Sequence, residues 1–309
     1  MLNVLNITAP LFTLIILGYL AAKTGLLPTS LLGGVARFVL YFCVPGVILS
    51  NFLRDQARPV FVPEFLQSYA MIAFGTLILG YLVTYLLLGR RSTDASIFAL
   101  GGSIPNSMFV GFPVLLQVMP DIAVQVLVMC VLVENALIIP LALLFADISS
   151  VSARSLPKRL YQIGRRIITN PMLISVAVGW LVSSMDMAAP TALQATLDML
   201  AKAAAPAALV YIGGSLVGNT VRGDLGAILS VAAIKLLLMP LLAMAVLYLS
   251  APLPASYASA MILVCAAPML SIYAIIASNY GLGRSAASIQ VFTTAGSFFT
   301  LNAFLVYLL

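Results

Sequence analysis

Ten stretches of this chain are each long and apolar enough to cross a lipid bilayer, and little lies between them: 3–22, 32–53, 65–88, 95–119, 122–146, 167–185, 195–218, 225–249, 256–280 and 285–308. A helix rises 1.5 Å per residue, so a hydrocarbon core about 30 Å thick takes about 20 residues. Backbone N–H and C=O groups find no partner in lipid, which leaves helices and closed barrels as the only spanning structures. Runs of this length select helices. Charged residues are 8% of the 309 and hydrophobic residues 62%, where a soluble domain carries about a quarter charged. The sequence therefore predicts an all-α membrane protein with ten transmembrane helices. The first run lacks a basic leader and a small-residue cleavage site and contains Pro10, so it reads as a span and not a signal peptide.

The runs are duplicated. Residues 7–20 (ITAPLFTLIILGYL) and 168–181 (ITNPMLISVAVGWL) share Ile7/Ile168, Thr8/Thr169, Pro10/Pro171, Gly18/Gly179 and Leu20/Leu181 at an offset of 161, which also carries Pro45 onto Pro206. An offset of 163 carries Ser96 onto Ser259 and Pro105 onto Pro268. Five runs precede the polar linker 148–166 and five follow it. An odd number of spans per copy makes the second copy enter from the opposite face, so residues 1–147 and 167–309 are expected to be inverted five-helix repeats. Membrane carriers built this way hold substrate where the halves meet.

Charge sets the orientation. One side of the predicted topology holds Lys23, Arg90, Arg91, Arg154, Lys158, Arg159, Arg165, Arg166, Arg222 and Arg284, the other only Arg54 and Arg58. The basic side is cytoplasmic by the positive-inside rule, which puts both termini outside. The net charge of +6 is thus a topology signal, and no nucleic-acid partner is expected. Cys43, Cys130 and Cys265 fall inside runs at no metal-like spacing and read as small buried side chains. The chain has no histidine, which removes Ser-His and Cys-His catalysis and imidazole metal sites. No Gly-x4-Gly-Lys-Ser/Thr loop occurs, so ATP does not drive it. No enzyme activity, cofactor or metal is expected.

Run four contains GGSIPNSMFVGFP, with Gly101, Gly102, Pro105, Asn106, Ser107, Gly111 and Pro113. Forced into one helix, three glycines and two prolines would cost on the order of 9 kcal/mol relative to alanine. A break is expected instead. Counted from Asp94, Asn106 lies about 18 Å deep, near the middle of the slab. Run nine comes from the other side, and Pro268 lies the same twelve residues beyond Ser256. Irregular backbone at that depth is tolerated only where protein or a water-filled cavity satisfies it, and a half-helix beginning there aims orphan N–H groups at one place, which suits an anion. Kinks alone, and Asn106 as interhelical glue, are the competing accounts.

The chain resembles the auxin efflux carrier family, which includes plant auxin exporters and bacterial organic-anion permeases. Asn106-Ser-Met-Phe-Val-Gly111-Phe-Pro113 matches the Asn-x4-Gly-x-Pro signature of that family's first crossover. Ala267-Pro268 followed by Ala277, Tyr280 and Gly281 is similar to its second crossover, although Ser271, Ile272 and Tyr273 stand where plant members have a second proline. Pro10 with Gly18, Pro45, and Lys235 with Pro240 fit other helices. The resemblance implies the fold of sodium/bile-acid symporters. Spans 1, 2, 6 and 7 would form a scaffold, and spans 3–5 and 8–10 a unit that slides as an elevator. It further implies a homodimer through scaffold helices, a bacterial inner-membrane location, and a malonate, malate or auxin-like substrate in contact with Asn106. Pro105, Ser107, Gly111, Pro268, Met269, Ser271 and Asn135 complete the expected binding set, with interhelical glue as an equal alternative for Asn135 and helix packing for Met269. Met108, Phe109 and Phe112 are further candidate lining residues, with helix packing as their alternative role.

Glu134 and Lys235 lie near the centres of runs five and eight, where each would cost about 2.5–3.5 kcal/mol unless paired or hydrated. Two accounts stand. They form a mutual ion pair, or Glu134 is a proton or sodium site while Lys235 attracts a carboxylate or stands in for a coupling ion. Asp198 and Lys202 read as a local i,i+4 pair. One charge moved through 100 mV is worth about 2.3 kcal/mol, so importing a dicarboxylate into an inside-negative cell meets about 4.6 kcal/mol. Uptake then needs co-transported cations, with a proton on Glu134 first and sodium next. The competing functions are a sodium-coupled symporter of a larger amphipathic acid, an auxin-like monocarboxylate exporter, a passive channel, and an intramembrane enzyme using a Ser-Lys235 dyad.

Overall fold

The computed structural model describes residues 2–54, 61–149, 156–185, 189–218, 225–249 and 253–308. Among these the chain is helical, with one isolated β-bridge and no strand. The helices are α1 (Leu2–Lys23), α2 (Thr29–Leu53), α3 (Pro63–Leu87), α4 (Ser92–Ser103), α5 (Ser107–Val118), α6 (Pro120–Ser149), α7 (Leu156–Ile168), α8 (Pro171–Ser184), α9 (Thr191–Ser215), α10 (Leu225–Leu249), α11 (Ala255–Ala266), α12 (Tyr273–Ser278) and α13 (Gly283–Leu308). Six of them, α2, α3, α6, α9, α10 and α13, are long and apolar enough to cross a membrane unaided, and the bent pair α7 and α8 supplies a candidate seventh. The remaining apolar runs of the sequence fall on α1 and on two interrupted pairs, α4 with α5 and α11 with α12. Broad aliphatic and aromatic exposure, as at Leu17, Leu86 and Phe299, is what a lipid-facing surface requires.

Both interruptions have the same cause. A proline pushes the residue before it out of the helical region, and Ile104 before Pro105 (φ −118°, ψ 117°) and Ala267 before Pro268 (φ −63°, ψ 157°) are both extended. Other prolines are absorbed without a break. A proline inside a helix clashes with the carbonyl four residues back, and at four places the turn ahead of it widens to π geometry: Val39–Cys43 before Pro45, Ser107–Gly111 before Pro113, Glu134–Ile138 before Pro140 and Ile234–Leu238 before Pro240. Three of these four turns carry Ser107, Glu134 and Lys235.

Helix boundaries recur along the chain. α2 and α9 both have 25 residues and start at 29 and 191, and α3 and α10 both have 25 and start at 63 and 225, an offset of 162 in each case. α4 and α11 both have 12 and start at 92 and 255, an offset of 163. The packing partners are equally ordered. α1 lies along α9, and α2 against α8 and α9, whereas α3 packs on α4 and α10, α4 on the C-terminal half of α6, and α10 on α11 and α13.

The α1 and α9 backbones touch: a Cβ on Gly18 would lie 2.1 Å from the Val210 carbonyl oxygen, and one on Gly213 would lie 1.8 Å from that of Ile15. Small residues are the means by which helices in lipid, lacking a hydrophobic drive toward one another, gain close van der Waals contact.

One expectation is corrected by the packing. Asp198 does not pair with Lys202; it accepts from Ser50, from Gln194 at 3.0 Å and from Arg54 at 3.2 Å, because α2 passes directly alongside. Of the linker 148–166, residues 148–149 end α6 and residues 156–166 lie in α7. Arg58, Arg154 and Arg222, used above to set the topology, lie outside the described residues.

Candidate functional site

The two interruptions meet. Asn106 N–H donates to the Pro268 carbonyl at 2.6 Å and Leu270 N–H to the Ile104 carbonyl at 3.2 Å, which makes Pro105 and Met269 partners in an antiparallel bridge. Extended backbone that would be unsatisfied in lipid is thus satisfied by the other extended segment. One helix from each half of the chain ends here, at Ser103 and Ala266, and one begins, at Ser107 and Tyr273.

Asn106 ties the junction together. Its Oδ1 accepts from Phe109 N–H at 3.2 Å as the N-cap of α5, and its Nδ2 donates to Ser271 Oγ at 2.6 Å. Its backbone carbonyl accepts from Val110 and Gly111. An amide nitrogen has two hydrogens, and among the described residues Ser271 takes one. The backbone N–H groups of Ser107 and Met108 have no backbone partner there either, which is the usual state of a helix N-terminus. Gln290 Nε2 holds the Ser271 carbonyl at 2.9 Å.

Glu134 and Lys235 reach the junction from α6 and α10 without touching each other. Glu134 accepts from Tyr69 OH at 2.6 Å and from Ser107 Oγ at 2.8 Å, so it is bonded to the residue next to Asn106. Lys235 Nζ donates to the Cys265 carbonyl at 2.7 Å and contacts Met239 Sδ at 3.3 Å. It therefore caps the C-terminal end of α11, where a cation opposes the helix dipole. The mutual ion pair anticipated as one account does not form. Hydroxyl donors take the carboxylate and a helix end takes the ammonium, and an ion pair forms elsewhere, between Arg54 and Asp198. Both side chains are buried.

Most of the expected set therefore converges: Pro105, Asn106, Ser107, Pro268, Met269 and Ser271 are buried in the junction, with Glu134 and Lys235 bonded to its edges. Two expected members differ. Asn135 turns away and accepts from Asn170 Nδ2 at 3.0 Å, the N-cap residue of α8, because successive helix residues point about 100° apart and do not share a face. Gly111 has room for a Cβ at ordinary contact distance and ordinary helical angles (φ −57°, ψ −51°), so neither close approach nor backbone conformation requires glycine there. Met108 and Phe109 are buried, and the Phe109 ring packs on Tyr211 of α9 at 5.4 Å.

Sequence reasoning missed Tyr69, Gln290 and Tyr273. Gln290 carried a signal, an amide within an apolar run. Tyr69 and Tyr273 are unremarkable among twelve tyrosines. Tyr273 is fully buried with its ring over Gly101, where a Cβ would lie 2.6 Å from the ring, and its hydroxyl has no hydrogen-bond partner. A buried unpaired hydroxyl costs about 1–3 kcal/mol, so Tyr273 is a donor in want of an acceptor. A separate cavity of about 280 Å³ between α3, α4 and α6 is lined by Leu77, Tyr81, Ser96 and Phe145. It is apolar and offers an anion no cation.

Donors without acceptors among the described residues, and a buried ammonium beside them, suit the oxygens of an anion. The sequence comparisons agree in kind. A family described as membrane transport protein matches residues 4–305. The chain is 24% identical over 294 residues to the "Putative malonate transporter" of Rhizobium meliloti (strain 1021), covering 95% of this chain and 92% of that protein. It is 24% identical over 246 residues to the "Lysosomal cholesterol signaling protein" of Mus musculus, covering 75% of this chain and 28% of that longer protein.

Proposed function

Since the chain belongs to the membrane transport protein family, that of the auxin efflux carriers, we propose that it is a secondary active carrier of small organic anions, dicarboxylates such as malonate or malate foremost, which binds them at the α4/α5 and α11/α12 junction. The observation that carries this is the pair of proline-broken helices joined backbone to backbone, with Asn106 bonded across to Ser271. The malonate transporter similar over nearly its whole length supports the substrate class.

In this reading the spans form two inverted five-helix halves, 1–147 and 167–309, and the recurrence of helix lengths at offsets of 162 and 163 supports it. α1, α2, α8 and α9 are the scaffold. α3–α6 and α10–α13 are the moving unit, which slides as an elevator past the scaffold; polar ties between the two include Asn135 with Asn170, and Thr8 with Asn302 at 2.9 Å. Dimers form through the scaffold in the inner membrane, with both termini outside. Uptake of a dianion against the potential requires cations, and Glu134, hydrogen-bonded to Ser107 beside Asn106, takes the proton; sodium is the second choice.

Counterflow in proteoliposomes tests the proposal. Labelled malonate outside vesicles preloaded with unlabelled malonate is expected to accumulate transiently, with saturation and competition by malate. An inward pH gradient, acid outside, is expected to raise net uptake, and sodium to leave it unchanged. Linear flux without counterflow would identify a channel, and inactivity toward every mono- and dicarboxylate would remove the substrate class.

A further inference from the structure

α7 is unlike every other helix in the chain. Leu156, Leu160, Ile163 and Ile167 follow one another at spacings of four, three and four, which places them on one stripe of its register. Lys158, Gln162 and Arg165 fall on the opposite side at the same spacing, flanked by Arg159 and Arg166. Four basic residues in thirteen are too many for a span.

The helix also leaves the direction of its neighbour. Its last eight residues, Tyr161–Ile168, are bent 55° from α8, which is apolar and begins at Pro171 after a cap by Asn170. α8 is apolar enough to enter the bilayer, and the bend turns α7 away from that direction. Tyr161 is 71% exposed and Ile168 75% exposed, and Arg165 and Arg166 are exposed as well. Apolar and basic residues exposed on one short helix beside a membrane entry have a single environment that serves both, the headgroup region.

We infer that α7 is a binding surface for anionic phospholipid headgroups of the cytoplasmic leaflet, with Arg165 and Arg166 on phosphate and the exposed Tyr161 and Ile168 at the acyl boundary. The occupant follows from charge complementarity. The helix is basic with no acidic residue, and the cytoplasmic leaflet is the anionic one. The surface fastens the connection between the two halves of the chain to the leaflet at the point where α8 enters. It stands whether or not the carried anion is a dicarboxylate.

The test uses the full chain in vesicles. Trp180 is the one native tryptophan, so Trp180→Phe with Tyr161→Trp gives a single reporter on α7. Its fluorescence is read as brominated phosphatidylglycerol or brominated phosphatidylcholine is added at equal mole fraction. The expected result is a preference for the glycerol lipid of about fivefold or more, lost in 0.5 M salt, about ten times the ionic strength of a 50 mM buffer, and lost when all four basic residues are replaced by Gln. Equal quenching by both lipids would overturn the headgroup assignment. Quenching by neither would mean that α7 stands off the membrane, as a protein-binding helix would, and would overturn the inference altogether.

Discussion

Asn106→Asp is expected to leave the protein folded and to abolish saturable malonate uptake at substrate concentrations that saturate the wild type. Asparagine does two separable jobs here. Its Oδ1 caps α5 through Phe109 N–H, and its Nδ2 faces Ser271. Aspartate caps as well as asparagine, and Ser271 can turn its hydroxyl to donate to the new oxygen, so the junction keeps its bonds. The second amide hydrogen is lost and a negative charge stands where the substrate's own is to bind. A hydrogen bond to a charged group is worth about 1.5–3 kcal/mol, which is roughly 10- to 150-fold in affinity before the added repulsion is counted. Asn106→Ala is the less informative change, since loss of the cap alone costs about 1 kcal/mol. Transport assays beside thermal stability in detergent separate the two effects. Full activity in Asn106→Asp would mean that the residue only holds the helices together.

Lys235→Met is expected to raise stability or leave it unchanged while weakening transport, the reverse of what a structural residue does. A lysine at mid-span costs about 2.5–3.5 kcal/mol to insert. The cost is offset here by the Cys265 carbonyl and the end of α11 rather than by a contacting carboxylate. Methionine fills the same length without the charge, and replacement of buried charges by packed apolar groups is often neutral or stabilising. The ammonium is bonded to a residue three positions before Pro268. A cation about 8 Å from a carboxylate contributes about 2 kcal/mol at an effective dielectric of 20, so its loss is expected to raise KM roughly 30-fold for each carboxylate within reach. A dicarboxylate should therefore lose more than a monocarboxylate of the same length. Equal losses for both, together with a fall in thermal stability, would assign Lys235 to packing.

The residues that break the helices were legible in the sequence because their effects are local. Proline acts on its own turn and the residue before it, so the extended Ile104 and Ala267 followed from Pro105 and Pro268 alone. The depth of Asn106 followed from counting. Partnerships were not legible, because they depend on which helices lie alongside. Nothing local tells Glu134 to take Tyr69 and Ser107 in preference to Lys235, or Asp198 to take Arg54 across from α2. Asn135 takes the interhelical role: successive helix residues point about 100° apart, so the neighbour of Glu134 meets a different helix, and Asn170 of α8 lies there. The sequence also does not announce the π turns, such as Glu134–Ile138. In retrospect, a mid-span proline two residues beyond the turn is the sign to look for, and Pro45, Pro113, Pro140 and Pro240 all carry it. α7 escaped because its basic residues were spent on orientation, and their spacing against the four aliphatic positions was not weighed.

The central claim is that the carried anion sits at the junction of the two broken helices. Diffraction from crystals grown with bromomalonate, read at the bromine absorption edge, tests this most directly. The account predicts an anomalous peak beside Asn106 and Ser271, with the carboxylates toward the start of α5 and Lys235. A peak in the apolar cavity by Tyr81 and Phe145, with none at the junction, would contradict it.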